Sequence, residues 1–129
     1  MPPGRSIRLA VAGVLLAGYW LALFVATHIP LRDALPGAGF DKVLHAAAYA
    51  GLAFLLATVV GLLGRLSWRG YLVILALVAL YGAIDEAMQT AVPGRSADAM
   101  DWAADVIGGL IGLLAHAVCF SLLHRFSRS

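Results

Sequence analysis

Four long apolar runs fill most of the chain, and the polar residues fall between them or at their ends. Leu9 to Thr27 holds 19 residues without a formal charge, and a helix needs roughly 20 apolar residues to cross about 30 Å of hydrocarbon. Three further runs follow: Val43 to Gly64, Gly70 to about Val92, and Trp102 to Leu123. The pattern predicts an all-α fold, an integral membrane four-helix bundle with helices over about 7–29, 41–64, 69–91 and 98–123, in a single domain over residues 1–129. Arg5 and Arg8 lead into the first run as they would into a secretory signal peptide. That run is longer than the about 7 to 15 residues of a signal core and lacks a clean A-x-A site, so it reads as a helix that stays.

Between the helices, HIPLRDALPGAGFDK carries Pro30, Pro36, Gly37 and Gly39, which break helix and predict a turn-rich connection. In TAVPGRSAD, Pro93 and Gly94 predict a tight turn, with Ser96 or Asp98 placed to cap the fourth helix. No internal repeat is present, and the tail HRFSRS is expected to fray.

Composition supports the membrane reading: 62% of residues are hydrophobic and 12% charged, where soluble domains carry about a quarter charged residues. The net charge of +2 does not point to nucleic acid, because six of the nine basic residues sit beside helix ends, where topology explains them. Arg5, Arg8, Arg65, Arg69, Arg125 and Arg128 fall on one side, and Arg32, Lys42 and Arg95 on the other, six against three. Short loops rich in Lys and Arg stay in the cytoplasm, so both termini are expected there, in a multi-pass protein of the cell's inner (cytoplasmic) membrane. All seven acids, Asp33, Asp41, Asp85, Glu86, Asp98, Asp101 and Asp105, then lie at or near the outer face. Cys119 is the single cysteine, so no intramolecular disulfide forms, and among Ala117, Val118 and Phe120 it reads as a small buried hydrophobe.

The acids are not scattered. Asp41, His45 and Tyr49 fall at i, i+4 and i+8 of the second helix, with Lys42 adjacent, and Tyr81, Asp85 and Gln89 repeat that spacing on the third. Glu86 lies three residues before Gln89, and Asp98, Asp101 and Asp105 step along the fourth helix. Residues so spaced share a helix face. Asp41 to Tyr49 covers roughly 12 Å of helix, which predicts a shallow outward-facing polar cup rather than a channel. Each ionisable group below the interface costs at least about 2.5 kcal/mol, so these groups should face the bundle interior and pair there. Below them Ala104, Gly108 and Gly112, with Gly109, form a small-xxx-small stripe suited to close helix approach.

Within the cup His45, Glu86 and Asp105 are the candidate catalytic acids and bases, and Arg95 has a planar fork suited to carboxylate or phosphate. Arg95 is expected either to clamp Glu86 or an aspartate, or to receive an anionic headgroup. Imidazole and carboxylate also suit zinc, but no H-x-x-x-H or E-x-x-H spacing accompanies them, so no metal and no other cofactor is expected. His28 and His116 read as interfacial or core residues.

DKVLHAAAYAGLAFLL followed by DEAMQTAVPGRSADAMDWAADVIGGLIG resembles the VanZ-like membrane proteins. Their pattern runs D-K-x-x-H-x-x-x-Y, then E-x-x-Q, then G-R with a later Asp and glycines. The resemblance covers roughly residues 41–112 and leaves the first helix unmatched. It implies a polar set at Asp41, Lys42, His45, Tyr49, Glu86, Gln89, Arg95, Asp101 and Gly108. Many members carry Asn where this chain has Asp105, a departure that adds an ionisable group. The family's named member is associated with reduced susceptibility to teicoplanin, a lipoglycopeptide that acts at the membrane's outer face.

Three functions compete. In the first, the cup, with Asp41, Lys42, His45, Tyr49, Glu86, Gln89, Arg95, Asp101 and Asp105 as binding residues, engages an amphiphile such as an anionic lipid headgroup, a lipid-linked cell-wall precursor or the acyl end of a lipoglycopeptide. In the second, a membrane enzyme acts on a lipid-linked cell-envelope substrate with Glu86 or Asp105 as general base. In the third, the network only fixes packing within a larger membrane complex.

Overall fold

The computed structural model describes residues 3–29 and 39–126, which form four α-helices: α1 (Pro3–His28), α2 (Phe40–Leu63), α3 (Trp68–Gln89) and α4 (Ala99–Phe126). All four are long and apolar enough to cross a membrane. Even α3, the shortest at 22 residues, rises about 33 Å, enough to span the hydrocarbon. Apolar side chains cover the outside as well as the inside of the bundle: Leu15, Leu77, Ile107 and Leu114 all point outward. Helices that are apolar all round suit a lipid surrounding, where the backbone must satisfy its own hydrogen bonds.

Local chemistry sets the helix ends. Pro3 opens α1 six residues before its charge-free run, because a first-turn proline needs no N–H partner. Ser67 caps α3 by accepting from Gly70 N at 3.3 Å. Val92 to Arg95 form a turn closed by Arg95 N donating to the Val92 carbonyl (3.1 Å), with Gly94 at φ 78°, a conformation that favours glycine. Asp98, rather than Ser96, caps α4: its Oδ1 accepts from Met100 N at 2.8 Å. α4 continues to Phe126, into the tail expected to fray. The turn-rich connection expected at Pro30, Pro36 and Gly37 lies outside the described residues, as do Arg32, Asp33 and Arg128.

α4 packs chiefly on α2 and also on α3, while α1 packs mainly on α2 and does not reach α4. The α2–α4 contact depends on two glycines. A Cβ at Gly108 would fall on the backbone carbonyl of Ala46, and one at Gly112 on that of Ala50. Gly109 faces α3 instead, against Val78 and Leu75. Around this seam Tyr49, Leu52, Ala53, Ala57, Val78 and Leu113 form the core. On the other side of α2, Tyr19 of α1 lies over Gly51 and donates to the Ala48 carbonyl at 2.9 Å. Arg5 Nε donates to the Leu62 carbonyl (2.8 Å), placing a cation at the carbonyl end of α2.

Cys119, expected to be buried, is exposed on the outer face of α4. In a bundle whose outer face is as apolar as its core, apolar neighbours in sequence do not reveal which way a side chain points. His116 is buried, bonded through Nδ1 to the Tyr71 hydroxyl at 2.9 Å and edge-on to Phe54, at the end of the bundle away from the acids.

Candidate functional site

The start of α2, the end of α3 and the start of α4 meet at one end of the bundle, together with the end of α1. Their ionisable residues form three linked groups. In the first, Lys42 Nζ donates to Asp98 Oδ2 (3.0 Å) and Asp101 Oδ1 (2.6 Å), tying α2 to the cap of α4. In the second, His45 Nδ1 donates to Asp105 Oδ1 at 2.8 Å. Glu86 comes from α3 to the same place. Its Oε2 accepts from the Asp98 backbone N–H (2.8 Å), so the carboxylate of one helix holds the first residues of the next. In the third, Asp85 accepts from Thr27 Oγ1 and from Gln89 Nε2, both at 3.1 Å, with His28 Nδ1 3.8 Å away. Gln89 Oε1 in turn accepts from Arg95 Nη1 at 2.7 Å.

Most of these side chains lie inside the protein, with Lys42 and Asp98 partly exposed. Asp85, Glu86, Gln89, Asp101 and Asp105 are all buried, and Asp105 is 0% exposed. Gly82 on α3 makes room for it: a Cβ there would come within 3.1 Å of Asp105 Oδ2. Tyr49 is also fully buried, and its ring stacks on Tyr81 with centroids 5.9 Å apart. Close helix approach at Gly108 places Ala46 of α2 against α4, and His45 and Asp105 flank that contact in sequence. The glycine stripe and the polar site are therefore one construction.

A cavity of about 320 Å³ opens beside this network between α1 and α2. Its wall combines the ionisable Asp41, His45 and Arg95 with the apolar Leu23, Ala26 and Leu44. A second cavity, about 380 Å³, lies further along α1 and is lined by apolar side chains such as Leu16, Leu52 and Leu56, together with Trp20 and Tyr81.

Asp41, Lys42, His45, Tyr49, Glu86, Gln89, Arg95, Asp101 and Asp105 all lie at this end of the bundle, with partners that differ in part from those expected. Among the described residues Arg95 clamps no carboxylate. Its bond goes to Gln89, and its Nε has no hydrogen-bond partner among the described residues. Glu86 is not bonded to Arg95 either: its Oε2 accepts from the Asp98 backbone N–H, and its Oε1 has no hydrogen-bond partner among the described residues. His45, Glu86 and Asp105, which no short spacing connects, offer one ligand-type atom each within 4.8 Å of one another. Asp85 and Thr27 were not among the expected binding residues. The i+4 step from Asp85 to Gln89 signalled the first of them, whereas Thr27 closes an apolar run and carried no signal.

The fold and site define a polytopic all-α membrane protein with a buried ionic network at one end. The chain belongs to the VanZ/LLP1 family, whose sequence model matches residues 10–121. The match takes in α1, which the shorter resemblance left out. No curated protein and no solved structure matches the chain.

Proposed function

We propose that this protein sits in the cytoplasmic membrane with both termini inside and its polar end facing out, and binds an amphiphile with an anionic headgroup. An anionic lipid and a lipid-linked cell-wall precursor share that chemistry. The observation that carries this reading is Arg95: a guanidinium beside the α1–α2 cavity, bonded to a neutral amide, with no carboxylate partner among the described residues. A cation so placed is suited to an incoming phosphate or carboxylate, with hydrocarbon against Leu23, Ala26 and Leu44. Occupying such a ligand at the outer face is how a member of this family would lower susceptibility to teicoplanin.

Two experiments test the reading. A reporter active only outside the cytoplasm, fused after Ser129, should be silent, and the same reporter inserted after Arg95 should be active. The opposite pattern would place the site on the wrong face. Phosphatidylglycerol binding to the purified protein, followed by native mass spectrometry, should fall roughly tenfold in Arg95→Lys, which keeps the charge but loses the planar fork. Unchanged binding in both Arg95→Lys and Arg95→Gln would remove Arg95 from the site.

A second reading, turnover of a lipid-linked substrate, draws support from the His45–Asp105 hydrogen bond beside Glu86, an arrangement able to move a proton. Its signature would be product release from such a substrate that Glu86→Gln abolishes without loss of binding.

A further inference from the structure

We infer that His45, Glu86 and Asp105 form a binding site for one divalent transition-metal ion, of the zinc or iron kind, linking α2, α3 and α4. The inference is independent of the lipid reading. One imidazole nitrogen and one oxygen from each carboxylate lie within 4.8 Å of one another. Ligands of a tetrahedral zinc-sized ion, each about 2.0–2.2 Å from it, stand about 3.4 Å apart, so the widest pair needs to close by at most about 1.4 Å.

A second observation points the same way. Glu86 is 4% exposed and Asp105 0%, and each carboxylate is anchored through one oxygen while the other has no partner. Glu86 Oε2 is held by Asp98 N–H and Asp105 Oδ1 by His45, whereas Glu86 Oε1 and Asp105 Oδ2 are buried without a hydrogen-bond partner among the described residues. Orphaned carboxylate oxygens are costly in a low-dielectric setting. A protein that holds each acid by one oxygen and leaves the other free is built as metal sites are, with the spare hydrogen bond orienting the ligand.

Charge balance narrows the occupant to a cation. Lys42 serves Asp98 and Asp101, and Arg95 serves Gln89, so one imidazole is the sole basic group bonded to this pair of carboxylates among the described residues. Two ionised carboxylates beside one imidazole would carry excess negative charge into the membrane, and a divalent ion would cancel it. Divalent transition-metal ions such as zinc and iron accept both imidazole and carboxylate, whereas calcium and magnesium prefer oxygen alone. Because the ligands come from three helices, the ion would also bind the helices to one another.

The test uses the full-length protein in detergent, stripped with chelator and titrated with Co²⁺, whose visible absorption reports ligand type, followed by displacement with Zn²⁺. One saturable equivalent is expected, with ligand-field bands distinct from those of aqueous Co²⁺, and Zn²⁺ should raise the thermal midpoint. His45→Asn, Glu86→Gln and Asp105→Asn should each weaken binding by more than about tenfold, since losing an outer-shell partner alone costs about 10- to 100-fold. Cys119→Ser, which removes the one exposed thiol, should leave it unchanged. Absence of a saturable equivalent in the unmutated protein overturns the inference. So does wild-type affinity in any one of the three ligand variants that elutes as folded protein.

Discussion

Gly108→Leu is expected to leave little folded protein. On Gly108 even a single Cβ would meet the Ala46 carbonyl oxygen, carbon and Cα at contact distances no real Cβ shows, and all three are backbone atoms that cannot rotate away. α2 and α4 would have to part along the seam where they pack most closely, and Gly112 against Ala50 would open with it. Overpacking of a protein core commonly costs about 1–3 kcal/mol, and this case belongs at or beyond the upper end because the obstacle is main chain. Lipid does not compensate, since helix association in a membrane relies on such close packing rather than on exclusion of water. Gly13 supplies the contrast. A Cβ there meets nothing within 4 Å, so Gly13→Ala should leave the protein as abundant as before. Size-exclusion chromatography of a fluorescent fusion, extracted in mild detergent, distinguishes the two. A monodisperse Gly108→Leu peak at the height of the unmutated protein would mean that α2 and α4 do not approach as closely as described.

The number and order of helices were legible in the sequence because a hydrocarbon solvent leaves a strong mark: long charge-free runs, with the charges pushed to their ends. The polar face of α2 was legible for the same reason, since Asp41, His45 and Tyr49 repeat at helical spacing and have no other reason to interrupt an apolar run. Partner choice was not. Lys42, His45 and Arg95 are each within reach of several acids, and which pairs form depends on the rotation of α4 against α2. That rotation is set by Gly108 and Gly112, whose effect on side-chain register has no local sequence signature. His45, Glu86 and Asp105 were placed together in the cup, but a metal was not expected of them because metal motifs are recognised by spacing within one helix, whereas these three residues come from three. Cys119 shows a further limit. Hydropathy separates core from surface only in water, and in lipid the outer face of α4 is as apolar as the inner one.

Asp85→Leu is expected to loosen α1 from the polar end while leaving the other three helices in place. Thr27 to Asp85 is the one hydrogen bond joining α1 to α3 among the described residues, and these helices touch sparingly elsewhere. Leucine removes that bond and leaves Gln89 Nε2 buried without its acceptor, at a cost of about 1–3 kcal/mol. Removing a buried carboxylate also relieves its desolvation, which keeps the overall fold from failing. The α2–α4 seam does not involve Asp85, so the yield of folded protein should stay near normal, unlike that of Gly108→Leu. The cost should appear locally. Hydrogen exchange of residues 19–28 should accelerate by about tenfold or more, since roughly 1.4 kcal/mol of local opening free energy is a factor of ten, while residues 104–113 of α4 remain protected. Phosphatidylglycerol binding should weaken too, because Leu23 and Ala26 form the α1 wall of the cavity and Gln89 is the group to which Arg95 is bonded. Asp85→Asn keeps an acceptor for Thr27 and should restore most of the protection. Equal acceleration in α1 and α4 would show that Asp85 supports the whole bundle. No acceleration in either would show that the Thr27–Asp85 bond does not hold α1.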